Sequence, residues 1–366
     1  MTIPETMKAA VYYNNQDIRI EERAVPRIGP GELLVQVVAN GLCGGEALEW
    51  YHTRSAPKVM GHEPAGVVVQ VGAGVTDFRE GDRVFVNHHV GRIQSHLALR
   101  GHFTRDPFYK ASNLDPGSAC QYFRAPAVNV ATDTHLLPDN VSFEEATVIE
   151  PWGCVTGGLK VAGIQPGDSV AVVGCGFMGM GFIHLAPLFG AGSIFALDFS
   201  DWRLEKAREL GATHTINPRR ENAVEKLFDL THGQGADTVV VTAPSVQAWQ
   251  QAYELVGTGG TLHFGAPPPG DQSWTINPEK LYFSEVTFTS KYSADHHDTY
   301  QVLRWLEAKR IQPELTFTHR FLLEDMRQAF DLLLQADRSL KSIIYPNGFE
   351  IAQTTRQQEA SQHITG

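Results

Sequence analysis

Gly174-Cys175-Gly176-Phe177-Met178-Gly179 is the stretch whose reading decides the fold. It has the form G-x-G-x-x-G. The apolar run Ser169 to Val173 leads into it, and a helical pattern from Phe177 to Phe189, with Pro187 near its end, leads away. In a strand–turn–helix setting the first glycine makes the turn and the second lets backbone approach a pyrophosphate. The third lets helix and strand pack closely. The helix N-terminus then offers free N–H groups to phosphate charge. Asp198 follows the next strand, Ser193 to Leu197, nineteen residues past Gly179 (198 − 179). A carboxylate there accepts hydrogen bonds from both ribose hydroxyls and repels a 2′-phosphate, which predicts NAD and not NADP. The expected cofactor contacts around this turn are Gly174, Gly176, Phe177, Met178, Gly179, Asp198 and Arg203.

Outward from this turn, residues 156 to 295 alternate strand and helix. Asp201 to Leu210 reads as a helix capped by Ser200 or Asp201, and Asp237 to Val241 and Thr261 to Phe264 as strands. That rhythm predicts an α/β, doubly wound parallel sheet of Rossmann type. Residues 1 to 155 instead read as β-rich. Lys8 to Tyr13, Leu33 to Val38, Val67 to Val71 and Arg83 to Val86 are strand candidates between Gly and Pro turns. Residues 88 to 116 form a His- and Arg-rich excursion. Past 295, helices at Asp298 to Ala308 and Met326 to Leu334 and a strand at Ser342 to Tyr345 take the chain to 346. A polar tail of Gln, Thr and Ser is expected over 347 to 366.

The 366 residues suffice for two domains with real cores. A net charge of -11 disfavours nucleic acid or an anionic membrane as partner, since both need clustered Lys and Arg. Cys43, Cys120, Cys154 and Cys175 form no C-x-x-C, so no disulfide framework is implied. The opening MTIPETMKAA lacks the apolar core of a signal peptide, and no apolar stretch is long enough to span a bilayer. A cytoplasmic location is expected.

Gly61-His62-Glu63 sets an imidazole beside a carboxylate. Most such pairs are solvated or satisfied by ordinary hydrogen bonds. Cys43 in a Gly-rich turn upstream and Glu150 downstream add a thiol and a second carboxylate, company that makes a metal site the reading to test.

Several motifs in order resemble the medium-chain dehydrogenase/reductase family, in its zinc-dependent alcohol and polyol (sorbitol and threonine dehydrogenase-like) branch. They are Gly41-Leu42-Cys43-Gly44, then Gly61-His62-Glu63-Pro64-Ala65-Gly66 with Gly72 and Val75. Gly81-Asp82-Arg83-Val84, Leu137-Pro138-Asp139 and Glu150-Pro151 follow, and the likeness spans about residues 7 to 346. The resemblance implies a GroES-like catalytic domain over 1–155, completed by 296–346, and an NAD-binding Rossmann domain over 156–295. It implies Cys43 and His62 as zinc ligands, with Glu63 or Glu150 supplying the carboxylate. Gly259-Gly260 and Gly265-Ala266-Pro267 match loops that pass the cofactor, and Lys341 stands at a common family position without an assigned role.

Two departures stand out. The family's relay hydroxyl, two residues past the first ligand, is replaced by Gly45, its neighbouring Asp by Glu46, and a later relay His by Leu48. Proton removal then falls to water, to Glu46 or Glu63, or to His52. The family's structural zinc uses C-x2-C-x2-C-x7-C, whereas these positions here are Arg92, Ser95, Ala98 and Asp106. No structural zinc is therefore expected. The lobe should hold by packing alone, through Leu97, Leu99, Phe103, Phe108 and Tyr109.

The expected activity is NAD-dependent oxidation of a secondary alcohol, a polyol or cyclitol, to a ketone with one catalytic zinc ion per chain. The rivals are a zinc-free reductase of an activated C=C or C=O and a redox-inactive NAD-binding protein. The family also implies a homodimer or homotetramer, with Phe283 to Ser290 as the candidate pairing edge.

Overall fold

The computed structural model describes residues 2–350. The expected tail therefore lies, from 351 onward, outside the described residues. The chain divides into two compact units, Met1–Gly153 with Ala294–Gly366, and Cys154–Ser293.

The first unit runs through β1 (Thr6–Asn14), β2 (Asp17–Ala24), β3 (Leu33–Leu42), β4 (Lys58–Val59), β5 (Pro64–Val71), β6 (Arg83–Val86), β7 (Tyr122–Ala125) and β8 (Thr134–Leu136). The second contains β9 (Ser169–Val173), β10 (Ser193–Leu197), β11 (His214–Ile216), β12 (Ala236–Val241), β13 (Val256–Phe264) and β14 (Thr287–Ser290). The chain then returns to the first unit with β15 (Phe317–Leu322) and β16 (Lys341–Tyr345).

In the first unit the main sheet is ordered β15-β16-β3-β5-β6-β8, with β7 also on β3. β3 is flanked by β16, β5 and β7, and all ten of its residues are buried. This is why its sequence is almost continuously apolar and extends past Val38 to Leu42. Leu33, Val35 and Val37 pack with Val68, Val84, Val86 and Phe123. Each such side chain contributes about 1.5–3 kcal/mol by leaving water. A second cluster, with Tyr12, Leu42, Met60, Phe330 and Ile344, lies under the other end of β3.

The second unit is a parallel sheet ordered β11-β10-β9-β12-β13-β14. Ala171, Val239, Val241 and Leu262 form its inner face with Leu227, Ala252 and Leu255 from the flanking helices. The turn after β9 opens the helix Phe177–Leu185, which tightens to a 3-10 turn at Ala186–Phe189, where Pro187 lacks the N–H for a further helical bond. The helix Ile149–Ala162 escapes a sequence reading because most of its first three turns is buried: Ile149, Trp152, Val155 and Leu159 are fully buried, and small glycines interrupt the apolar spacing.

Two expectations need correction. Phe283 lies outside the edge strand, in the helix Pro278–Ser284, which Asn277 caps and Pro278 starts; the edge is β14 alone. Nor does the lobe hold by packing alone. Tyr109 is buried, but Leu99 is 77% exposed. The four former ligand positions are instead tied around the buried Asp106. Arg92 Nε and Nη2 each lie 3.3 Å from its carboxylate oxygens. Ser95 hydrogen-bonds the same carboxylate and accepts the Ala98 N–H at 3.2 Å. Phe108 N–H donates to it at 2.8 Å. Burial pushes the Asp106 carboxyl up, but Ser95, Arg92 and the Phe108 N–H outweigh that and hold it below its ordinary value. Asp106→Ala leaves those donors without their acceptor and is expected to cost about 1–3 kcal/mol, read as a lower denaturant midpoint. Chelation of metal should not mimic the loss.

Candidate metal centre and dinucleotide site

The register of the main sheet of the first unit brings the ends of three strands together. Asn40 on β3 pairs with Pro64 on β5, and Leu42 on β3 pairs with Ser342 on β16. Cys43 therefore leaves β3 beside His62 and Glu63, which precede β5, and beside Lys341, which starts β16. The ligand atoms of Cys43, His62 and Glu63 lie within 4.8 Å of one another.

Each donor is held from behind. Cys43 caps the short helical turn Gly44–Ala47, its Sγ accepting the Gly45 N–H at 3.3 Å. Glu46, on that turn, is 5% exposed, and its Oε1 accepts from Gly61 N–H at 2.7 Å and faces His62 Nδ1 at 3.2 Å. With Nδ1–H on Glu46, the lone pair of Nε2 is left for a metal, the arrangement common to metal-binding histidines. Burial pulls the His62 imidazole down, but Cys43 and Glu46 outweigh it and hold the ring well above its ordinary value. Burial likewise pushes the Cys43 thiol up, against the opposing pull of His62. A metal would replace these protons.

Glu63 is fully buried, and its Oε2 is ion-paired with the equally buried Lys341 ammonium. Its Oε1 is buried without a hydrogen-bond partner. An ammonium neutralises the carboxylate from one side while an orphaned oxygen remains on the other, which suits a cation. Gly41 makes room for the pair, since a Cβ there would fall 2.1 Å from Glu63 Oε2 and 2.7 Å from Lys341 Cε.

The sequence candidates are thus distributed. Cys43, His62 and Glu63 gather. Glu150 is buried one imidazole away, its Oε1 3.9 Å from His88 Nδ1, and the His88 ring lies 4.9 Å from that of His62. His52 has both nitrogens engaged: Nε2–H donates to Gly45 O at 2.9 Å, and Nδ1 accepts from Lys58 Nζ at 2.6 Å. Burial and then Lys58 lower its imidazole below the ordinary value. Glu46 orients His62 and keeps a buried, unpartnered Oε2. Lys341, Lys58 and His88 received no role from the sequence. A lysine opening an otherwise apolar strand, Lys341-Ser342-Ile343-Ile344-Tyr345, is the signal that could have singled out the first.

The second unit carries the dinucleotide turn. Gly174 has φ 97°, a conformation that excludes other residues at little strain. A Cβ on Gly179 would lie 1.9 Å from Gly174 O, whereas one on Gly176 would meet nothing within 4 Å. The glycine roles therefore separate into turn, open approach and close packing. Gly176 is the N-cap of the helix that carries Phe177 and Met178. Asp198 accepts the Cys175 and Ser200 N–H groups, both at 2.8 Å, with Arg203 Nη1 3.8 Å away. Gly265 follows β13, and a Cβ there would press on Phe182 and Thr242 at 3.3 Å.

Residues 29–139 match the alcohol dehydrogenase GroES-like domain family and residues 178–308 the zinc-binding dehydrogenase family. The sorbitol dehydrogenase of Bacillus subtilis is 32% identical over 94% of this chain and 99% of its own. The chain belongs to the zinc-binding alcohol dehydrogenase family. The L-threonine 3-dehydrogenase of Caldanaerobacter subterraneus is 30% identical over 91% of this chain and 97% of its own. The solved alcohol dehydrogenase of Thermus sp. ATN1 superposes with a TM-score of 0.82 at 29% identity, covering 93% of this chain and 99% of that one. This dehydrogenase is accordingly an oxidoreductase of the medium-chain type, GroES-like in its first unit and Rossmann-like in its second. Among the described residues no helix is long and apolar enough to cross a membrane.

Removing one partner from a buried ion pair costs about 3–5 kcal/mol. Lys341→Met should lower the urea midpoint of the metal-free dehydrogenase accordingly, and Lys341→Arg should recover part of the loss. An unchanged midpoint for Lys341→Met would show that the pair does not hold the strand ends.

Proposed function

We propose that this dehydrogenase oxidises a secondary alcohol of polyol or cyclitol type to the ketone, using NAD and one catalytic zinc ion. The observation that carries the reading is the convergence of Cys43, His62 and the orphaned Glu63 Oε1 within 4.8 Å, with Glu46 behind His62. When bound, zinc supplies a Lewis acid for the alcohol oxygen and nicotinamide supplies the hydride acceptor.

This chain's own residues do the rest. Cys43, His62 and Glu63 hold the ion, Lys341 offsets the charge of Glu63, and Glu46 fixes the His62 tautomer. Glu150 faces His88, whose ring neighbours His62, and is kept as the alternative carboxylate ligand. Gly45 brings no hydroxyl to the proton path, and His52 is the titratable group nearest that carbonyl. Asp198, anchored on backbone N–H groups, presents the acidic end of the ribose site and favours NAD over NADP. Pairing of two copies along the edge strand β14, beside the exposed Tyr282 and Phe283, is the route to a dimer.

Metal analysis of gently purified protein should give close to one zinc per chain, and Cys43→Ala should lose both the zinc and NADH formation. Oxidation that survives chelation and Cys43→Ala would overturn the zinc mechanism in favour of a zinc-free reductase. Asp198→Ala should lower kcat/KM for NAD relative to NADP by about tenfold or more, the worth of a charge-assisted hydrogen bond. An unmoved ratio would remove Asp198 from cofactor selection.

A further inference from the structure

A cationic rim stands beside the Cys43–His62–Glu63 cluster, within the same unit. Lys58, on β4, lies four residues ahead of His62 (62 − 58). Its ammonium is 2.6 Å from His52 Nδ1, His52 Nε2 is 2.9 Å from Gly45 O, and Gly45 N–H donates to Cys43 Sγ at 3.3 Å. Three short contacts thus join Lys58 to the thiolate ligand. Tyr51 meets His52 edge to face, with centroids 5.1 Å apart. Lys110 Nζ donates to Tyr51 OH at 2.9 Å and lies 5.0 Å from the ring centre. From the other side, the His88 ring lies 4.9 Å from His62, and His89 4.3 Å from His88. His89 Nδ1 is buried and unpartnered. Burial first, then His62, Lys110 and Lys58, bring the His89 imidazole down to about 4.

Lys58 is the decisive member. It is half-buried, and among the described residues no carboxylate stands within ion-pair distance of it. The nearby Glu46 is turned to Gly61 and His62, and Glu49 Oε1 accepts the Asn15 N–H at 3.1 Å. An ammonium has three donors, and Lys58 uses one on His52. Burial lowers the Lys58 ammonium below its ordinary value, and Glu46 opposes this from beyond contact distance. A half-buried ammonium with no carboxylate in contact keeps donors free for an anionic ligand.

We propose that the alcohol taken at the Cys43 cluster carries an anionic group, a carboxylate or a phosphate ester, which Lys58 binds directly with Lys110 and His89 completing the rim. This deepens the alcohol dehydrogenase reading and rests on it. A neutral polyol would leave the Lys58 charge uncompensated. A hydroxy acid or polyol phosphate would place its hydroxyl at the metal cluster and its charge at the rim. A lysine, as a flexible point charge, serves either anion.

The test follows NADH formation by the zinc-loaded full chain on matched substrates: a polyol, the corresponding sugar acid and the corresponding phosphate ester. One charged substrate should exceed the neutral one in kcat/KM by about tenfold or more, and which one does so distinguishes carboxylate from phosphate. Lys58→Met should erase most of that preference, chiefly through KM, and Lys58→Arg should keep much of it. Equal turnover of charged and neutral substrates, or a preference that Lys58→Met leaves intact, overturns the proposal. A second arm titrates the full chain with inorganic phosphate by calorimetry, with binding expected to weaken about tenfold in Lys58→Met. Phosphate binding that depends on Lys58, found without oxidation of any alcohol, would support the rim while sinking the dehydrogenase reading. Absence of Lys58-dependent phosphate binding, together with good oxidation of neutral polyols, would do the reverse.

Discussion

A buried carboxylate and a buried ammonium, Glu63 and Lys341, lock three strand ends to one point. Neither side chain touches solvent. Such a pair is expensive to desolvate, and it is tolerable only where geometry is fixed on both sides. The sheet fixes it. Gly41 N–H donates to Glu63 O at 3.0 Å on one edge of β3, and β16 delivers Lys341 along the other. A side chain at position 41 would occupy the space in which they meet. The gathering of Cys43, His62 and Glu63 is a by-product of that register: a slip of one residue in either pairing would turn Glu63 or Lys341 to the opposite face of the sheet.

The same economy governs the donors. Glu46 is one carboxylate with two tasks, tying down the Gly61 turn and choosing which His62 nitrogen stays free. A longer acid in place of the family's Asp still reaches both. The hydroxyl missing at Gly45 has no side-chain substitute at its own position, and the chain places a carbonyl, an imidazole and an ammonium in series there instead. Lys58 is thereby joined to the cluster through His52 and Gly45, while Glu46 and Glu63 each keep one buried oxygen without a hydrogen-bond partner.

Much of this was legible in the sequence. The dinucleotide turn was, because each glycine there meets a separate steric demand that no other residue satisfies. Cys43, His62 and Glu63 were legible as donors because their residue types and order are chemically narrow. The function of Lys341 was hidden, because it depends on a pairing 278 residues away in the chain from Glu63. Lys58 was hidden for a different reason: its significance is the absence of a carboxylate partner, which only three-dimensional neighbours reveal. The helix Ile149–Ala162 is hard to read because its nearly complete burial up to Leu159 weakens the periodicity that exposes a surface helix. Phe283 reads as strand because it continues the aromatic and β-branched pattern of Val286, Thr287 and Phe288, and helix ends are the least legible boundaries in a sequence.

The lobe around Asp106 has a chemical consequence beyond its stability. Four zinc thiolates would be four oxidisable sulfurs on one exposed excursion, each able to shed metal when attacked. Arg92, Ser95, Ala98 and Asp106 contain no sulfur and no redox chemistry. Of the cysteines that remain, Cys120 and Cys175 are buried, while Cys43 and Cys154 are partly exposed. Among the cysteines of the first unit only Cys43 is partly exposed, so thiol chemistry there is confined to the cluster and does not reach the contacts that hold the lobe.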